Sequence, residues 1–203
     1  TFTDSVSGLV GTVGADVVLD GTTHTFATHL PDGGYFPGHV NVVPASQLLH
    51  QTLNPGTGNF QFTIRYNTNY SFGNIMQKGQ STVAGGMWKL ENPNRQPRCL
   101  FRGSNGQSRT GYLRDYDKGV RLTRGWHTIT CVRTPTYVQM WIDGVAQPRA
   151  NGPTGNIYNA APFSIGGKSQ CDGGVKITCD YFIGQVDYIE FRKTAVVTTA
   201  VRR

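Results

Sequence analysis

The sequence has only two glutamates in 203 residues, Glu91 and Glu190, and they fall in segments far apart. Glycoside hydrolases generally need two carboxylates flanking one bond. No Glu-x-Asp-x-x-Glu strand lines such groups along one face of a cleft, so a retaining hydrolase is disfavoured. Zinc chemistry is poorly served too, because the four cysteines show no Cys-x-x-Cys spacing and the five histidines no His-x-x-x-His spacing. No Ser, His and Asp constellation emerges from sequence order. Nor does any apolar run approach the ~20 residues of a membrane-spanning helix. Internal repeats, low-complexity linkers and long helical periodicity are likewise absent.

What is present is glycine (26), proline (10) and 37% hydrophobic residues, which is enough burial potential for a turn-rich folded chain. Length and patterning suit one domain over 1–203, with its core at about 16–195 and a basic tail at 196–203. The net charge of +7 is concentrated: between Pro93 and Arg124, eight bases (Arg95, Arg98, Arg102, Arg109, Arg114, Lys118, Arg121, Arg124) face two acids (Asp115, Asp117). Such a segment either meets an anionic partner or is a solvated face that maintains solubility.

An even set of cysteines in a turn-rich chain suggests disulfides. Cys99 with Cys131 would join two strand-like segments, and Cys171 with Cys179 would close a short loop. Each closure contributes about 2.5 to 4 kcal/mol in the chain-entropy picture and implies an oxidising compartment. The chain opens on Thr1 without a basic-then-apolar leader, as expected of an exported product after processing and equally of a trimmed one.

Alternation with period two dominates. Phe60, Phe62, Ile64 and Tyr66 face one way while Gln61, Thr63 and Arg65 face the other, predicting one wet face. The pattern repeats over 126–133 and 137–142, and the Asp143-Gly144 pair then predicts a type I′ hairpin turn. In the last strand, 182–191, Val186 is out of phase with Ile189 and Phe191, which a β-bulge at Asp187-Tyr188 would repair. Further strands are expected at 16–19, 39–43, 73–78, 87–91, 99–102 and 163–166, with one helical turn at 45–51. Ten to thirteen short strands without parallel crossovers imply two packed antiparallel sheets.

Several segments, in order, resemble the laminin G-like jelly-rolls of the concanavalin A-like lectin/glucanase superfamily, particularly the secreted actinobacterial kind. They are Val18-Leu19-Asp20-Gly21, His39 to Pro44, Leu53 to Thr63, Asn74 to Gly79, Trp126-His127-Thr128-Ile129, Trp141-Ile142-Asp143-Gly144, Phe163 to Gly167 and Phe182 to Asp187. The resemblance implies an all-β, two-sheet antiparallel jelly-roll sandwich. It also implies that Asp20 and Asp187 could flank a structural calcium, with turn-capping as their plainer role; no cofactor is otherwise required.

This architecture hosts many functions, so the fold alone assigns no ligand. Sugar binding needs exposed aromatics beside planar polar groups, for which Trp88, Tyr112, Tyr116 and Tyr158 are candidates. Arg102, Arg109 and Arg114 beside Tyr112 and Tyr116 suit a sulfated or uronic-acid glycan. The expectation is a secreted, noncatalytic module for an anionic glycan or cell-envelope component. A protein-interaction subunit of an envelope assembly is the alternative. A polysaccharide lyase, with Tyr112, Tyr116 or His127 as base, is a second, although the Gln-Ile-His and Tyr-Phe-Lys strands of jelly-roll lyases are missing. No nucleic-acid motif is present.

Overall fold

The computed structural model of the chain describes residues 2–3, 5, 10–13, 17–19, 23–26, 40–42, 52–69, 73–81, 83–168 and 180–193. All strand pairings among them are antiparallel and form two sheets. The first sheet runs β1 (Phe2–Thr3), β2 (Val10–Val13), β5 (Val40–Val42), β15 (Phe163–Ile165), β7 (Asn74–Lys78), β8 (Met87–Glu91), β9 (Arg98–Arg102), β10 (Ser108–Tyr112). The second runs β13 (Val145–Ala146), β12 (Tyr137–Ile142), β11 (Trp126–Arg133), β6 (Phe60–Asn67), β16 (Gly184–Arg192), β4 (His24–Phe26), β3 (Val17–Leu19), and β14 (Ala150–Asn151) also pairs with β12. The expected two-layer jelly-roll is therefore the architecture. The predicted helical turn at 45–51 lies outside the described residues.

Alternation builds the core. Phe60, Phe62, Ile64 and Tyr66 are buried against Trp88, Leu90 and Phe101 of the opposite sheet. Phe62 stacks on Trp88 at 5.2 Å between ring centroids, and Trp88 meets Phe163 at 5.5 Å. Trp88 is 0% exposed and donates its indole N–H to the Leu53 carbonyl at 3.0 Å, so it anchors the core and offers no platform to a ligand. The other face of β6 is drier than the pattern suggested. Gln61 is buried, Thr63 shares a hydrogen bond with Thr130 at 2.9 Å, and the Arg65 guanidinium lies 4.5 Å over the Trp126 ring.

A disulfide between Cys99 on β9 and Cys131 on β11 ties the two layers together, with 6.1 Å between the Cα atoms. Cys171 and Cys179 lie outside the described residues. The register of β16 on β6 shifts between Val186 and Tyr188, the bulge that the phase of the sequence required. Asp143 and Gly144 turn with φ of 49° and 79°, placing Val145 opposite Ile142. The Asp143 carboxylate also accepts from His127 Nδ1 at 2.7 Å and from the Thr128 N–H at 2.8 Å. That clamp is the physical reason for the Trp-His and Asp-Gly motifs occurring at a set distance, and it assigns His127 to turn geometry.

Strand β10 escaped the sequence reading because Ser-Arg-Thr-Gly-Tyr has almost no apolar alternation. Its fourth residue, Gly111, packs so closely on β12 that a Cβ there would come within 3.3 Å of the Met140 nitrogen. Here a missing side chain lets the two sheets approach.

Candidate functional site

The 102–108 turn of the basic segment reaches the end of the sandwich near Gly155, where the Ser104 N–H bonds to the Asn156 carbonyl at 2.8 Å. The rest, 93–98 and 112–124, lies at the other end, where β6 finishes and β11 begins with Asn67 paired to Trp126. It is firmly built. Buried Gln96 donates from Nε2 to the carbonyls of Tyr116 and Val120, both at 3.0 Å, and the Leu122 N–H bonds to the Arg95 carbonyl at 2.8 Å. These bonds pin the β10–β11 connection against the short 3₁₀ turn Pro93–Arg95. No sequence signal marks Gln96, because its role depends on meeting carbonyls 20 and 24 residues away.

Cys99 and Phe101 point into the core, so Arg98, Leu100 and Arg102 line the outer face of β9. Tyr112 pairs with Arg98, and Ser108 with Arg102. The Tyr112 and Tyr116 rings lie 4.7 Å apart, and Arg98 Nη1 is 3.4 Å from the Tyr116 hydroxyl. Arg98 also pairs with Glu91, which accepts from Lys89 on its other oxygen. Burial works to lower the Arg98 pKa, but the charge and hydrogen bond of Glu91 outweigh it and raise the pKa overall. Arg98 is thus a fixed cation beside an aromatic pair.

The anticipated cluster divides accordingly. Tyr112, Tyr116 and the exposed Arg114 share this end, and the Arg114 backbone N–H is held by Gln147 Oε1 at 2.8 Å. Arg102 is on the same face but four residues along the strand, roughly 13 Å away. Arg109 does not join them, for it has the parity of Gly111 and faces the other sheet. There its Nε donates to the Asn151 carbonyl at 2.7 Å, and its guanidinium packs over Gly152. Arg98 takes the place beside the tyrosines that the sequence reading gave to Arg109. Tyr158 is exposed, and no arginine lies over its ring among the described residues.

Of the cations here, Lys118 pairs with Asp115 at 3.0 Å. Arg95, Arg114, Arg121 and Arg124 make no ion pair among the described residues. Beneath them a tight crease, with no room for a water molecule, is lined by Tyr66, Thr68, Asn92, Arg95, Leu122, Thr123, Gly125 and His127.

Asp187 accepts from Arg65 Nη1 at 2.6 Å, and Asp20 lies outside the described residues. That contact engages Oδ2, one of the two carboxylate oxygens of Asp187. Among the described residues no three His, Cys, Asp or Glu side chains are grouped to hold a metal.

No family model matches this sequence, and no curated protein does. The fold is similar to that of several solved structures. The botulinum neurotoxin serotype D binding domain matches with a TM-score of 0.65 and 11% identity, covering 94% of this chain and 44% of that one. Mouse laminin alpha1 domains LG4-5 match with a TM-score of 0.58 and 15% identity, covering 95% and 44%. A botulinum neurotoxin type C structure, described as depending on two ganglioside molecules for cell entry, matches with a TM-score of 0.66 and 9% identity, covering 98% and 46%. This chain therefore spans less than half of each of those chains. At these identities the likeness establishes a laminin G-like jelly-roll fold.

Proposed function

We propose that this domain is a noncatalytic recognition module that binds an anionic glycan at the end of the sandwich carrying Arg98, Tyr112, Tyr116 and Arg114. The observation that carries the reading is the pairing of two adjoining tyrosine rings, 4.7 Å apart, with Arg95, Arg114, Arg121 and Arg124, none of which makes an ion pair among the described residues. Aromatic rings pack on sugar faces, and guanidinium forks bind carboxylates or sulfates in two-point fashion. The similar folds include domains described as receptor-binding and one described with gangliosides, which agrees with a glycan ligand. A buried disulfide favours an oxidising, extracytoplasmic location.

Retention on an immobilised uronate-rich polysaccharide, eluted by salt, tests this. Tyr112→Ala combined with Arg114→Gln is expected to abolish retention while leaving the fold intact, and the glycan should be recovered undiminished in length. Shortened glycan would establish the lyase alternative. Retention that survives the double substitution would remove this site from the binding surface. Failure to retain any anionic glycan, with salt-sensitive capture of an envelope protein instead, would establish the protein-interaction alternative.

A further inference from the structure

The outer face of the first sheet is accessible along one side. Trp88, Leu90, Cys99 and Phe101 point into the core, so Met87, Lys89 and Glu91 of β8 and Arg98, Leu100 and Arg102 of β9 face outward. Asn74 and Gln77 of β7 pair with Glu91 and Lys89, and on β10 the same face carries Ser108, Thr110 and Tyr112. Exposure rises from β7 to β10. Asn74, Gln77 and Met87 are buried, Lys89, Glu91, Arg98, Leu100 and Thr110 are half-buried, and Arg102, Ser108 and Tyr112 are exposed. A ligand on this face therefore has to lie along β9 and β10, because the route across β8 toward β7 is covered.

Three steps follow one another along that track. At one end Tyr112 pairs with Arg98, in the middle Thr110 pairs with Leu100, an apolar side chain on an outward face, and at the other end Ser108 pairs with Arg102. Across the outer faces of β8, β9 and β10, Glu91 is the one carboxylate against Lys89, Arg98 and Arg102, and it is already shared by Lys89 and Arg98. The Arg102 guanidinium has no hydrogen bond or ion pair among the described residues. It lies four residues, roughly 13 Å, along the strand from Arg98. Arg102 is thus an uncompensated cation separated from the tyrosine pair by a neutral, partly apolar step.

We infer that the glycan lies along β9 and β10 as an internal stretch of a linear chain, with one anionic group at the tyrosine end, a second on Arg102, and an uncharged sugar face on Leu100 and Thr110. The inference rests on the glycan reading above and adds the length and charge pattern of the ligand. Both follow from the spacing. One sugar ring is too short to reach from Tyr112 to Arg102, so a single uronate or sulfate engages one end alone. A chain charged at intervals engages both, and the second contact forms within an already bound molecule, which raises affinity without a second loss of translational freedom. Arginine at each end suits two-point contacts to carboxylates or sulfates, and Leu100 between them suits the apolar face of a ring.

Titration calorimetry with a glucuronate-containing disaccharide and an octasaccharide of the same linear repeat provides the test. Counted per repeat unit, the octasaccharide is expected to bind at least about tenfold more tightly, the effect of one further charge-assisted contact. Arg102→Gln should bring that ratio close to unity, with the melting temperature unchanged because the guanidinium has no partner to lose. Arg121→Gln removes a cation off this track, so it should weaken both oligosaccharides by the same factor and preserve the ratio. An octasaccharide no tighter than the disaccharide would overturn the inference, and if Tyr112→Ala still abolished binding of both, the rim reading alone would stand. A ratio that survives Arg102→Gln would overturn it as well. So would a ratio lowered equally by Arg121→Gln, which marks a diffuse attraction between charges. Binding of neither oligosaccharide would remove the glycan reading and this inference together.

Discussion

Two ends of this sandwich use positive charge in opposite ways. Where the segments 54–58 and 154–161 meet, Lys78 and Arg133 are 0% and 1% exposed. Lys78 donates to the Ala161 carbonyl at 2.6 Å and the Asn159 carbonyl at 3.3 Å. Arg133 donates to the Gly58 and Gly155 carbonyls and to Thr154 Oγ1. Neither forms an ion pair among the described residues, so backbone oxygens carry the compensation. At the far end, seven residues along β6 and roughly 23 Å away, Arg114, Arg121 and Arg124 are exposed and make no ion pair among the described residues. The difference teaches that a net charge of +7 is a poor guide to function until buried cations, which act as ties for loops, are separated from those left available.

The largest effect should come from the link between these regions. Cys131 shares β11 with Arg133, and Cys99 sits beside Arg98 on β9. Replacing both cysteines with alanine releases a crosslink with a sequence separation of 32 and leaves space in the core. Loop-closure entropy and lost packing together predict a cost of about 4 to 5 kcal/mol in urea unfolding. A loss under about 1 kcal/mol would mean that the layers hold together without the bridge.

Arg133→Met tests the buried end alone. It strands two carbonyls and a hydroxyl but relieves the desolvation of a charge, for a net expected cost of about 3 kcal/mol. Arg133→Lys should recover only part, because one ammonium lacks the fork that reaches three separate acceptors.

Lys78 gives a pH signature. Burial pulls its pKa from 10.5 down to about 7 in the folded protein. Between those values the unfolded chain holds more protons, so stability should rise as pH climbs from about 7 toward 10, by a total of roughly 3 kcal/mol. Below pH 7 both states are protonated and the burial penalty is present in full. Above about pH 10 the sign reverses, since Tyr66 ionises in the unfolded chain but is held neutral in the folded one. Urea midpoints across this range should therefore peak near pH 10, and Lys78→Met should flatten the rising limb. A profile that already falls between pH 7 and 9 would show that Lys78 stays charged.

Much of the fold was legible because it depends on periodicity. The bulge at Val186 and the turn at Asp143-Gly144 follow from side-chain phase and turn chemistry, and the Cys99–Cys131 pair from an even cysteine count with both residues in strand-like segments. The site was legible only as a charged stretch with two tyrosines. Arg109 was placed beside them because sequence proximity ignores parity, and one step along a strand sends it to the opposite face. Trp88 was offered as a platform because aromatic content does not reveal which face is buried. Gln96 had no signal.

The smallest stability effect belongs to the exposed end, and there it is the informative result. Arg114→Gln, Arg121→Gln and Arg124→Gln should each change the unfolding free energy by less than about 0.5 kcal/mol, because all three are exposed and make no ion pair among the described residues. The same substitutions should lower the salt concentration that elutes the protein from an anionic polysaccharide, with Arg114 giving the largest step because it adjoins the tyrosine pair. If all three stepped equally, the end would act as a diffuse charge cloud without the geometry argued for it. If any of them cost stability on the scale of Arg133, the contrast between structural and available cations would fail at that residue.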